Sequence, residues 1–232
     1  MENNEKRTGF NFPSFIKRFC IYIFGLLLIA VGVNISKLSG LGISPASSVP
    51  RACEVAWGFT LGTTIIIVYC IMVLLQLIVL RKDFEWTNAL GVLVGVIFGW
   101  LVDLTGVDPK AFGHLMVNFP RPESYISRFL YLVLSILIIG AGVYFYLKPR
   151  LVPMPAEGLA AAISKKTGKN FGDCKTIVDT SLITIAVLIQ LIFLGGFKSF
   201  LSEPIIVREG TVISALLVGQ VVKYLKKLET LK

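Results

Sequence analysis

Asp179 stands in DCKTIVDTSLIT, inside an otherwise apolar run, and Thr176, Thr180 and Thr184 share its helical face by i, i+3, i+4 and i+8 spacing. A carboxylate on such a stripe can take up a proton or a cation, or pair with Lys175 one turn earlier. The plainer alternative is that Lys175 or the neighbouring hydroxyls hold Asp179 and so join two helices. Glu157 is the second candidate. It heads PAEGLAAAISKKTG, behind Pro155 and before Gly158. At a helix N-terminus it either favours the helix through the dipole or contacts a ligand. Ser44, Ser47 and Ser48 crowd a matching helix start at Pro45. Free N–H groups and positive potential there suit an anion or a polar ligand. The candidate substrate-binding set is therefore Ser44, Pro45, Ser47, Ser48, Pro155, Glu157, Gly158, Lys175, Thr176 and Asp179, with Asp179 the candidate for a coupling ion.

Other chemistry is not indicated. There is no Ser/His/Asp set, no HExxH and no Walker loop. Cys20, Cys53, Cys70 and Cys174 are scattered, and the single histidine, His114, lies in a loop. No metal, no cofactor and no enzymatic activity are expected. Arg51 and Glu54, one turn apart, are expected to pair with each other. Gln76 and Gln190 are placed to hydrogen-bond across helices, and Asp103 is expected to be solvated at the end of its run. Gly25, Gly32, Gly91, Gly95 and Gly99 suit close helix contacts, and Trp57, Trp86 and Trp100 suit interfacial anchors.

The elements that must carry these residues are membrane helices. The chain is 55% hydrophobic with mean hydropathy +0.77. Charged residues are 16%, against about 25% in soluble proteins. The partner implied is the lipid bilayer. A net charge of +9 fits basic residues flanking spans beside anionic lipid, not nucleic acid. The polar, basic N-terminus precedes a run without a small-residue cleavage site, which reads as a retained first span.

Apolar runs place six spans at residues 19–36, 61–80, 88–104, 126–147, 177–197 and 210–225, the fifth with an alternative start near Phe171. Two shorter segments, 45–57 and 155–167, open at proline and are too short to cross. With the N-terminus inside, 16 of the 23 Lys and Arg lie on the inner side and 7 outside. That asymmetry favours N-in and C-in. The expected layout is a tail at 1–17, a first repeat at 18–105, an outer linker at 106–125, a second repeat at 126–226 and a tail at 227–232.

The chain repeats itself. RFCIYIFGLLLIAVGV from Arg18 overlays RFLYLVLSILIIGAGV from Arg128, and the same shift takes Leu41 to Leu151, Pro45 to Pro155, Gly58 to Gly168 and Gly62 to Gly172. Three spans per copy forces opposite orientations, an arrangement used by transporters. The fold class is thus all-α transmembrane: six spans as two inverted three-span repeats, each with a short re-entrant or interfacial helix after its first span.

GLGISP, TLGT and NALGVLVGVIFGWLVDL in the first half, with PAEGLAAAISKKTG and GTVISALLVG in the second, resemble the YczE/YyaS/YitT-type bacterial integral membrane proteins over about residues 18–225. The resemblance implies a bacterial cytoplasmic (inner) membrane protein, for which transport is the usual guess. Gly42, Pro45, Pro155, Gly158 and Leu159 match its motifs. Ala46 and Ser47 replace the common aromatic and acidic residues, Met154 a glycine, Glu157 an aspartate and Lys175 an arginine.

Residues and resemblance together point to a secondary transporter of a small polar or anionic solute, working by alternating access, with H+ or Na+ as open choices of coupling ion. The alternative is a non-transporting membrane module, either a ligand-capturing subunit or an accessory partner of another complex. A homo-oligomer is left open.

Overall fold

The structure is a computed structural model that describes residues 12–194 and 206–230. Residues 1–11 and 231–232 of the expected tails, and 195–197 of the expected fifth span, lie outside the described residues.

Among the described residues eight α-helices follow one another: α1 Phe12–Ser39, α2 Pro45–Trp57, α3 Leu61–Leu80, α4 Trp86–Leu104, α5 Tyr125–Leu147, α6 Pro155–Thr167, α7 Phe171–Phe193 and α8 Glu209–Thr230. No strand occurs among the described residues. The short helices are set by local chemistry. Pro45 and Pro155 occupy the first helical position, where the missing N–H has no intrahelical partner to lose. Gly58 (φ 74°) and Gly168 (φ 70°) close them in the left-handed region, their N–H groups bonding Glu54 O and Ser164 O. Thr60, Ser124 and Asn170 cap α3, α5 and α7 through their side chains. α1 begins at Phe12, well before residue 19, because Phe15, Ile16 and Phe19 continue its apolar surface past Lys17 and Arg18.

Among the described residues, five helices are long and apolar enough to cross a membrane: α1, α3, α4, α5 and α7. α8 has the length, but Glu209, Lys223, Lys226 and Lys227 interrupt its apolar stretch. Large apolar side chains such as Ile71, Leu74, Ile78, Leu93, Leu130 and Ile192 cover the outside, while Leu26, Ile65, Phe98 and Leu132 are fully buried. Trp86, 90% exposed, and Trp57 sit at helix ends as anchors should.

Packing follows the glycines. α1 and α5 cross antiparallel at the centre. A Cβ on Gly25 would lie 2.4 Å from Tyr146 N, one on Gly142 2.8 Å from Ile29 N, and one on Gly32 3.1 Å from Ile139 N. Backbone contact that close needs glycine. The last two contacts exchange under the repeat, since Gly32 corresponds to Gly142 and Ile29 to Ile139. α2 packs on α7 and α6 on α3, again an exchanged pair.

The helix ends fall into two groups. One, the α6 end, gathers the ends of α3 and α5, the starts of α4 and α7, and the last turn of α8, where Lys148 pairs with Glu229 at 2.5 Å. The other, the α2 end, gathers the end of α1, the starts of α3 and α5, and the first turn of α8, whose Gly210 N–H donates to Leu41 O at 2.9 Å.

One element breaks the match. α4 lies along α3, with Gly62 on Gly99, Gly95 on Tyr69 and Gly91 on Val73. α8 instead leans on α5, through Gly140 and Val221.

Asp103 corrects the sequence reading. It is bound, not solvated: its Oδ2 accepts from Thr60 Oγ1 at 2.6 Å and its Oδ1 from Gly62 N at 2.8 Å. The carboxylate of α4 closes the unsatisfied N-terminus of α3, where negative charge is favoured.

Candidate functional site

The first turn of α6 is tucked into the bundle. Pro155, Ala156, Gly158, Leu159 and Ala160 are buried, whereas Lys165 and Lys166 are exposed and face Glu85 and Asp83. Gln76 of α3 donates to Pro155 O at 3.0 Å, and a side chain at Gly158 would run into that amide. Gln76 therefore does join two helices. Pro155 also meets Gly91, in the second turn of α4, so the α6 N-terminus sits roughly 8 Å inside the helix ends.

Glu157, in that first turn, does not stand alone. Tyr146 Oη donates to its Oε2 at 2.5 Å and itself accepts from Met154 N at 2.5 Å. The Tyr22 ring lies 5.4 Å from the Tyr146 ring, and Tyr22 Oη donates to Val152 O at 2.8 Å. Across from them, Lys175 pairs with Asp179 one turn along α7, close enough for both to act on Glu157. Burial pushes the Glu157 carboxyl above its ordinary range; the Tyr146 hydroxyl and the Lys175 charge draw it back, and Asp179 adds to the rise. Tyr69, stacked on Phe98 with ring centroids 6.1 Å apart, is near both carboxylates. In the repeat, Tyr69 and Asp179 occupy equivalent positions.

The remaining candidates scatter around this cluster. Thr176 is exposed and donates to Gly172 O at 3.0 Å, and Thr184 donates to Thr180 O at 2.8 Å, so these two hydroxyls are satisfied on their own helix. At the start of α2, Ser44 and Ser47 hydroxyls lie 3.3 Å apart and Ser48 Oγ donates to Pro45 O at 2.7 Å. Ser47, Ser48 and Pro45 are buried. The expected Arg51–Glu54 pair is present at 2.6 Å, and Lys37 joins it. Among the described residues no group of His, Cys, Asp and Glu could hold a metal ion.

A family model described as a family of unknown function, DUF6198, matches residues 16–227. The chain belongs to this family. Similar proteins include the uncharacterized protein YyaS of Bacillus subtilis, 22% identical over 82% of this chain and 94% of that protein. The uncharacterized membrane protein YczE of the same organism is 24% identical over 90% and 85%. An uncharacterized protein of Haemophilus influenzae is 24% identical over 90% and 83%. No solved structure matches. The resemblance to YczE and YyaS thus holds, and this DUF6198 chain is a membrane protein in contact with lipid.

Tyr22, Tyr69 and Tyr146 were not singled out in the sequence. Each stands in an apolar helix where an aromatic residue is ordinary filling, and only the fold brings the Tyr146 hydroxyl to Glu157 and the Tyr22 hydroxyl to Val152 O. The one available signal was their polar tips inside spans, which need partners when buried.

Proposed function

We propose that this DUF6198 protein is a secondary transporter of a small polar or anionic solute, with six spans as two inverted repeats in the bacterial cytoplasmic membrane and both termini inside. The supporting observation is the cluster of Glu157, Tyr146, Lys175 and Asp179 at the tucked-in N-terminus of α6. Ionisable groups at such depth are costly and are usually kept for work. α8, which reaches from Leu41 at one end to Lys148 at the other, is the sixth span. α6 and α2 are re-entrant. The glycine-lined crossing of α1 and α5 is the pivot between halves.

The chemistry is a competition for Lys175. In this structure Asp179 holds it. An incoming carboxylate or phosphate, drawn by the free N–H groups of α6, takes over part of that ammonium. Two anions cannot share one cation cheaply away from bulk water. Asp179 then accepts H+ or Na+, which ties solute entry to the ion. Glu157, held by Tyr146, keeps further negative charge out of the cluster whenever it is protonated.

The experiment is uptake by purified protein in liposomes under an imposed H+ or Na+ gradient, across a panel of small acids and polar metabolites. Asp179→Asn should abolish gradient-driven uptake while leaving the melting temperature unchanged. Normal coupled uptake by that variant would sink the assignment.

One observation favours the rival, a non-transporting module working against another membrane subunit. The apolar window of α7 is only 22% buried, and Thr176, Thr180 and Thr184 are exposed along it. Binding without flux in the same liposomes selects that reading.

A further inference from the structure

α4 and α8 hold matching places in the sequence, yet only α4 is packed on the helix before it. Five residues join α3 to α4 and fifteen join α7 to α8. Allowing for the ten extra residues, the sequence repeat lays Gly91, Gly95 and Gly99 of α4 on Thr211, Ala215 and Gly219 of α8. α8 leans on α5 and reaches α2, as α4 leans on α1 and reaches α6. The remaining contact, packing along α7 as α4 packs along α3, is not formed among the described residues.

In the first half that contact is close. A Cβ on Gly99 would lie 2.6 Å from Gly62 O and 2.6 Å from Ile66 Cγ1, and one on Gly95 3.0 Å from Tyr69 Cβ. Asp103, one turn beyond Gly99, reaches Thr60 and Gly62 at the start of α3. The counterparts in the second half are open on both helices. On α7, Gly172 and Thr176 are exposed and the Asp179 side chain is 23% exposed. On α8, Ala215, Gly219 and Lys223 are exposed, and among the described residues nothing lies within 4 Å of a Cβ at Gly219. Lys223 stands where α4 has Asp103, and the first turn of α7 carries an exposed acid, Asp173. The two open faces thus match in shape, by small residues, and in charge.

We infer that α8 docks on this face of α7 in a second state of the protein, with Gly219 against Gly172 and Thr176, Ala215 over Asp179, and Lys223 beside Asp173. The occupant is the α8 of the same chain. A link of fifteen residues keeps it close at hand, and it already runs antiparallel to α7, as α4 does to α3. Docking covers the Lys175–Asp179 pair, which is partly open in this structure. As a cover for the working cluster the docked α8 rests on the proposed function; as a contact it does not, and the test reads the contact alone.

That test is disulfide trapping in the full chain in liposomes, with linked peptides identified by mass spectrometry. Thr176→Cys with Gly219→Cys gives two thiols that are exposed now and adjacent after docking. They should link within one chain. Leu188→Cys with Gly219→Cys is the control: Leu188 is exposed on α7 but roughly 18 Å further along the helix, and it should not link. Lys223→Asp should lower the yield of the first pair about threefold, the scale of one exposed ion pair, and adding Asp173→Lys should restore it. No link within the chain, equal linking in the control, or a yield indifferent to the charge reversals overturns the docking. A link formed only between two copies also overturns it, and gives the α7 face to a second copy of the chain.

Discussion

α2 and α6 are built on one plan and decorated for opposite tasks. Both are thirteen residues long, open at proline and close on a left-handed glycine. In α6 the acid is at the N-terminus, Glu157, and the exposed cations are at the C-terminus, Lys165 and Lys166. In α2 the N-terminus carries serines bonded to each other or to Pro45 O, and the charge is gathered near the C-terminus, where Glu54 lies under Lys37 and Arg51. The backbone frame is therefore set by Pro and Gly alone. What each end of the molecule can bind is set by a few side chains that the frame tolerates equally well.

The strongest way to break this comparison is Glu54→Gln. It leaves Lys37 and Arg51 buried beside each other with no carboxylate between them. Removing one partner of a buried ion pair costs about 3–5 kcal/mol. The detergent-solubilised variant should melt far below the wild type. A change of only a degree or two would mean that the three charges are solvated and the α2 end is not organised by Glu54.

The matching test at the α6 end is Glu157→Gln, read as stability against pH. The folded carboxyl is raised, by burial first, above its unfolded value. Its contribution is therefore present at low pH, where both states are protonated. It falls as pH rises from the unfolded value, near 4.5, through the raised folded value, because the unfolded chain gives up its proton first. Wild-type protein should lose stability across that window and the glutamine variant should lose less. Identical pH profiles would remove Glu157 from the ionisable cluster.

Tyr146→Phe is a smaller perturbation of the same cluster. It deletes the donor to Glu157 and the acceptor for Met154 N. The expected cost is about 1–3 kcal/mol. The Glu157 carboxyl should also rise further, since the hydroxyl holds it down, which moves the loss of stability to higher pH. A shift the other way would show that Tyr146 accepts from, and does not donate to, the carboxyl.

How much of this could be read beforehand follows from the range of each interaction. The bounds of α2 and α6, and the start of α7 at Phe171, are written locally in Pro45, Pro155, Gly58, Gly168 and Asn170. The pairs Arg51–Glu54 and Lys175–Asp179 are one helical turn apart, so spacing reveals them. Contacts between distant elements left no such trace. Lys37 reaches Glu54 only because Gly40 and Gly42 fold the chain back. Asp103 meets the start of α3 only through the α3–α4 crossing at Gly62 and Gly99. The threonine stripe of α7 is by contrast a local feature. Its period is real, but Thr176 and Thr184 return their hydrogen bonds to their own backbone.

The finest comparison is between Gly58→Ala and Gly168→Ala. Both glycines have positive φ, and a Cβ at either would meet nothing within 4 Å. The cost is then the left-handed backbone alone, about 1 kcal/mol at each site. Equal small losses in melting temperature mean that the two short helices are closed by the same local device and differ only in their side chains. A large loss at one and none at the other would mean that one cap carries a tertiary contact its counterpart lacks, and that the two halves diverge in backbone as well as in charge.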